Sequence, residues 1–196
     1  MKGGVGLVRC LKAEGITWVA TFPASTVNEI IAEEGVRHIM AREERMAAAI
    51  ADGYSRVSDG KRFGVATCMG GINAAGIQYA YGALAQAYED SSPVLGITGG
   101  VNADNWQLSR YDILRGFEPI TKWNAYINRA ERVPEYMRRA FTYLKTGHPA
   151  PVLIQIPMDV VNQEYDETAD PYTPVKGWKY AGDARDVEVA VRALLA

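Results

Sequence analysis

REERMAAAIADGYSRV (residues 42–57), FGVATCMGGINAAG (63–76) and YGALAQAYEDSSPVLGITGG (81–100) together decide the fold. An acidic pair, Glu43 and Glu44, heads an alanine-rich helical run. A β-rich run then breaks into the paired glycines Gly70 and Gly71, and a second helix and strand follow. Strand, glycine turn and helix in that order bring backbone amides close to whatever lies against the turn, which is a scaffold for a flat cofactor.

The same alternation extends from Thr17 to about Pro157 and predicts an α/β fold, doubly wound, with a mostly parallel six-stranded sheet and helices on both faces. Strands are expected at Thr17–Phe22, Val36–Ala41, Phe63–Met69, Val94–Thr98, Lys122–Ile127 and Val152–Ile156. Helical spacing predicts helices at Val5–Ala13, Thr26–Glu34, Glu43–Val57, Asn73–Tyr88 and Glu131–Leu144. Residues 1–165 form the expected domain, and 166–182, rich in acids, prolines and glycines without periodicity, read as a linker. Residues 183–196 carry Val187, Ala190, Val191, Leu194 and Leu195 on one helical face behind an N-cap at Asp183. Such a helix either packs back on its own domain or begins another.

Composition removes several classes of function. A chain of 196 residues, 48% hydrophobic and 22% charged, holds one well-buried domain. The net charge of -2 offers no basic stripe for nucleic acid. No window approaches the roughly 18 apolar residues of a membrane span, and Arg9 and Lys12 interrupt the N-terminal apolar run. Cys10 and Cys68 stand far apart, and His38 and His148 have no ligand-spaced partner, so no metal site is expected within the chain. A reducing, cytoplasmic setting fits these thiols.

In a helix starting near Glu43, Glu44 lies in line with Ala47, Ala48, Ala51 and Ser55, a stripe of small side chains that admits close approach. The bulkier stripe of Glu43, Met46 or Ala47, Ile50 and Tyr54 is expected to face the core, leaving the small one for another backbone or a ligand. Periodicity alone leaves two roles for Glu44: complementing the helix dipole or serving chemistry. Gly70 and Gly71 are open in the same way, between a tight packing turn and a ligand cradle; the spacing to Gly76 matches neither GxGxxG nor a P-loop.

The segments TFPAS (21–25), AREERMAAAIADGYSRV (41–57), GVATCMGGINAAGIQYAYGALAQAYEDSSPVLGITGG (64–100), FEPITKWN (117–124) and GHPAPVLIQIPMDV (147–160), in this order, resemble the N-terminal pyrimidine-binding domain of thiamine-diphosphate enzymes of the acetolactate synthase and 2-oxoacid decarboxylase group. The resemblance covers about Gly4 to Val161. Counting back from Asp52-Gly53-Tyr54, it places the family's activating glutamate on Glu44. In that family the carboxylate hydrogen-bonds N1' of the aminopyrimidine and thereby drives proton removal from the thiazolium, a role the resemblance implies for Glu44, with the small-residue stripe around it offering a dry surface against a partner chain. Pro23, Gly70, Gly71 and Asn73 are carried over as cofactor-binding residues, although the family's GPGxxN turn is one residue shorter here and lacks its proline. Ser25 and Gln107 are carried over to the substrate pocket, with Ser109 at the ungapped position of the family glutamine.

The resemblance also implies Mg²⁺, held in the family by a GDG motif and a downstream asparagine that this sequence does not contain. A partner chain supplying that diphosphate-binding half, a 2-oxo acid substrate and a dimer or higher oligomer are therefore expected. Two alternatives accompany this reading: a subunit of a sulfopyruvate or phosphonopyruvate decarboxylase, and a non-catalytic assembly module.

Overall fold

A computed structural model describes residues 1–23, 25–59, 61–72, 75–102, 104–105, 111–178 and 180–196. Six strands form one sheet: β1 (Trp18–Thr21), β2 (Arg37–Met40), β3 (Gly64–Cys68), β4 (Val94–Gly100), β5 (Trp123–Tyr126) and β6 (Val152–Pro157). Their order is β2-β1-β3-β4-β6-β5, and every pairing is parallel. β3, β4 and β6 are buried along their whole length, as expected of near-continuous apolar runs covered on both faces. The edge strands β2 and β5 are only partly covered.

Helices cover both faces, and each expected helix is present: α1 (Gly3–Ala13), α2 (Asn28–Glu33), α3 (Glu44–Val57), α4 (Ala75–Glu89) and α6 (Val133–Lys145). Two five-residue helices, α5 (Ile113–Phe117) and α7 (Met158–Asn162), are additions to the sequence reading, too short to leave a periodic signature. Leu7, Leu11, Ile31, Met137 and Phe141 pack with Val19, Val65, Ile97 and Ile154 on one face. On the other, Ala48, Ala51, Ile77, Leu84 and Phe117 pack with Ala66, Cys68 and Leu153.

One expectation is reversed. The small stripe of α3 faces inward: Ala47, Ala48, Ala51 and Ser55 are buried, whereas Met46 is 45% exposed. The reason is a backbone-to-backbone approach between α3 and β3, so close that a Cβ on Gly64 would overlap the Ala51 carbonyl. Ser55 completes the seam, accepting from Gly64 N at 2.8 Å and donating to Pro93 O at 2.6 Å. Burial here follows from how closely α3 must approach, and small residues permit that where Met46 and Ile50 would not.

Residues 166–178 carry no helix or strand but are held against the domain. Tyr172 and Val175 pack on the α1–α6 core, and the buried carboxylate of Glu14 accepts from Tyr172 Oη at 2.5 Å and Val175 N at 2.8 Å. Lys145 forms an ion pair with the same carboxylate. Beyond this strap, α8 (Ala184–Leu195) begins at Asp183, whose side chain accepts from Arg185 N at 2.9 Å. None of its residues is buried, so its apolar face does not pack back on the domain. Among the described residues no helix is long and apolar enough to cross a membrane.

Candidate functional site

β1 leads on to β2 on one side and its neighbour β3 leads on to β4 on the other, so the strand order reverses at the carboxyl ends of β1 and β3. Parallel α/β sheets bind ligands at such a switch point. Three connections meet there: the loop after Thr21, the turn after Met40 that leads into α3, and the turn after Cys68.

The loop after β1 is fixed by a buried polar cluster. Asn28 donates from Nδ2 to Phe22 O at 2.7 Å, while its Oδ1 accepts from Thr21 Oγ1 at 2.7 Å and Thr67 Oγ1 at 3.0 Å. Pro23 stands exposed at the tip of this loop, and Ser25 is half-buried with an Oγ that has no hydrogen-bond partner among the described residues.

Glu44 is the first residue of α3, preceded by Glu43 in an extended conformation. Arg45 binds Glu43 rather than Glu44, with Nη2 2.7 Å from Glu43 Oε1. Glu44 is only 4% exposed, and among the described residues its Oε1 has no hydrogen-bond partner. A buried carboxylate oxygen without a donor costs free energy unless something supplies one. The neighbouring Cys68 thiol is pushed well above its ordinary pKa, first by burial and then by the Glu44 charge.

The turn after β3 is pressed onto the end of β4. A Cβ on Gly70 would overlap both Thr98 Oγ1 and Gly99 O, and Gly71 takes a φ of 102°, a conformation that favours glycine. Gly99 is equally confined, by the Thr26 hydroxyl. Thr98 is 1% exposed with its own Oγ1 unpartnered among the described residues. Beside this turn lies an open cleft of about 290 Å³, lined by Met69, Gly70, Ile72, Gly100, Val101, Asn102 and Asn105.

Glu44, Ser25, Gly70 and Gly71 thus lie on connections at the carboxyl end of the sheet, with Pro23 exposed on the same loop as Ser25. Asn73 and Gln107 lie outside the described residues. The sequence reading passed over Asn28, Thr98 and Gly99. The one signal they left was polar or glycine positions at the end of an otherwise apolar strand, as in Ile97-Thr98-Gly99-Gly100, and at the start of a helix, as in Asn28. Among the described residues no group of three or more His, Cys, Asp or Glu side chains is arranged to hold a metal ion.

The orphaned Glu44 oxygen fits an aminopyrimidine, whose ring nitrogen can share a proton with the carboxyl group, while Gly70 serves first to pack the turn onto β4. Fold and site define a cofactor-binding domain of the thiamine-diphosphate enzymes. The family described as thiamine pyrophosphate enzyme, N-terminal TPP binding domain, matches residues 1–121, and the chain belongs to it. It is 36% identical over 172 residues to a probable acetolactate synthase large subunit of Methanocaldococcus jannaschii, covering 85% of this chain and 28% of that protein. A glyoxylate carboligase of Escherichia coli O157:H7 is 31% identical over 194 residues, covering 94% of this chain and 32% of the relative. The chain therefore spans about a third of the length of these relatives. The fold is shared with the Rhodococcus jostii RHA1 thiamine diphosphate-dependent 4-hydroxybenzoylformate decarboxylase at a TM-score of 0.83 and 22% identity, covering 99% of this chain and 37% of that one.

Proposed function

We propose that this chain is the pyrimidine-binding half of an acetolactate synthase-like enzyme that decarboxylates a 2-oxo acid and joins the acyl fragment to a second carbonyl. The observation that carries this reading is Glu44: a buried carboxylate with one oxygen left without a donor among the described residues, beside Cys68 at the carboxyl end of β3. Relatives named acetolactate synthase and glyoxylate carboligase favour carboligation over simple decarboxylation.

In this reading Glu44 holds the proton at N1' of the pyrimidine, and its enclosure keeps water from competing for that bond. In the same reading the turn at Gly70 and Gly71 borders the ring, and Ser25 Oγ, buried and unpartnered among the described residues, turns to the substrate when it binds. When bound, thiamine diphosphate supplies the electron sink for cleavage of the carbon–carbon bond. In this reading diphosphate and Mg²⁺ are held by a GDG-containing half outside these 196 residues, carried by a partner chain, since diphosphate needs a cation with oxygen ligands. A site shared between chains makes the working form a dimer or larger.

Calorimetric titration of thiamine diphosphate with Mg²⁺ tests the reading. Tight binding is expected when the chain is combined with a GDG-containing partner and weak binding when it is alone. Equally tight binding by the chain alone removes the shared-site reading, and no binding in either case removes the cofactor assignment. Turnover of sulfopyruvate or phosphonopyruvate without carboligation would replace the substrate class.

A further inference from the structure

We propose that Gly76 is the positioning residue for the Glu44 carboxylate, an inference that rests on the reading of Glu44 as the pyrimidine's partner. Gly76 is the second residue of α4 and is buried. A Cβ built on it would come within 3.0 Å of three atoms: Glu44 Oε1, Met69 Cβ and Met69 O. Real Cβ atoms do not approach heavy atoms so closely, so a side chain here must displace its neighbours.

The requirement comes from contact, because Gly76 is not among the glycines with positive φ. An ordinary helical position favours alanine over glycine by roughly 1 kcal/mol. Gly82, on the same helix, is the built-in comparison: nothing lies within 4 Å of a Cβ placed there. Of the three atoms around Gly76, two belong to the residue that follows β3, and their position is set by the backbone. The third, the nearest of the three, is the end of a flexible side chain, so Glu44 gives way most readily, while the two Met69 overlaps also require the first turn of α4 to shift. The bare first turn of α4 therefore leaves room for Oε1 where it stands, buried and without a donor, and a single methyl would push it aside.

The Glu44 carboxyl ¹³C resonance of the uniformly labelled chain, assigned by its loss in Glu44→Gln, reads this directly. Gly76→Ala is expected to move that resonance in the ligand-free chain, and Gly82→Ala to leave it in place. In the partnered complex, Gly76→Ala should weaken thiamine diphosphate binding by about tenfold or more, equivalent to at least ~1.4 kcal/mol. An unmoved Glu44 resonance in a folded Gly76→Ala chain overturns the proposal. Should Gly76→Ala not fold, the same change is made in Glu44→Ala: recovered folding supports the proposal, and continued failure assigns the glycine to Met69 alone and overturns it. A wild-type complex that binds no thiamine diphosphate sinks the cofactor reading, while the ligand-free resonance still decides the role of Gly76.

Discussion

The hydroxyl of Thr21, at the end of β1, donates to Oδ1 of Asn28, at the start of α2, across 2.7 Å, and both side chains are buried. The same amide bonds Phe22 O and accepts from Thr67 on β3, so one side chain closes the loop that carries Pro23 and Ser25 and ties it to the neighbouring strand.

Asn28→Leu removes all three bonds, while Thr67 still donates to Thr21, and Thr21 and Ser25 N still donate to Phe22 O. A loss of about 1 to 2 kcal/mol is expected, because the remaining polar groups stay partnered and only the bonds tying the loop to α2 are lost. Urea unfolding measures it. Backbone amide exchange should quicken between residues 22 and 27, and an unchanged midpoint would show that the cluster contributes nothing.

Glu44→Gln keeps the shape of the side chain but cannot take or return a proton. Turnover in the partnered complex should fall by roughly 10²- to 10⁴-fold, the usual span for losing a general acid–base group. Thermal stability should hold or rise slightly, since a buried carboxylate lacking a donor on Oε1 is replaced by a neutral amide. Wild-type steady-state rates in this variant would remove Glu44 from the chemistry.

Lys145→Ala leaves the fully buried Glu14 carboxylate without its cation, although Tyr172 and Val175 N still donate to it. The expected cost is roughly 2 to 4 kcal/mol, below that of a fully buried pair because Lys145 remains partly open to solvent. Limited proteolysis should cut residues 166–178 faster, and an uncut strap would mean that apolar packing alone secures it.

Burial holds the Cys10 thiol and the Tyr165 phenol up at about 12 each, from ordinary values of 9.0 and 10.0. Both groups are acids whose folded pKa is raised, so the stability they confer is complete below about pH 9 and is lost as pH climbs through 12. The thermal midpoint should therefore fall across that window, and more gently in Cys10→Ala. Rapid reaction of Cys10 with a thiol reagent at pH 9 in the folded chain would contradict this burial.

Much of the architecture was legible because it rests on local periodicity. The apolar runs Gly64–Cys68 and Val152–Pro157 are too short and too continuous to be surface helices, and the spacing of Val133–Lys145 admits only one buried face. The orientation of α3 departs from the sequence expectation for a physical reason: bulk along a helix does not by itself measure burial, and Gly64 against Ala51 draws the two backbones together and leaves room only for Ala47, Ala48, Ala51 and Ser55. The five-residue α5 and α7 are held by tertiary contacts and leave no pattern to read.

From sequence alone came the six-stranded α/β order, the glycine turn after β3 and, through its distance from Asp52-Gly53-Tyr54, the resemblance that singles out Glu44. These properties depend on neighbours along the chain or on a motif of fixed spacing. Only the tertiary structure revealed that Glu44 Oε1 is buried without a donor, that Gly76 is the residue packed against it, and that Asn28 locks the loop beside it. Each of those facts is a meeting of residues far apart in the chain, brought together by the parallel crossovers, and no local pattern records which atoms end up facing one another.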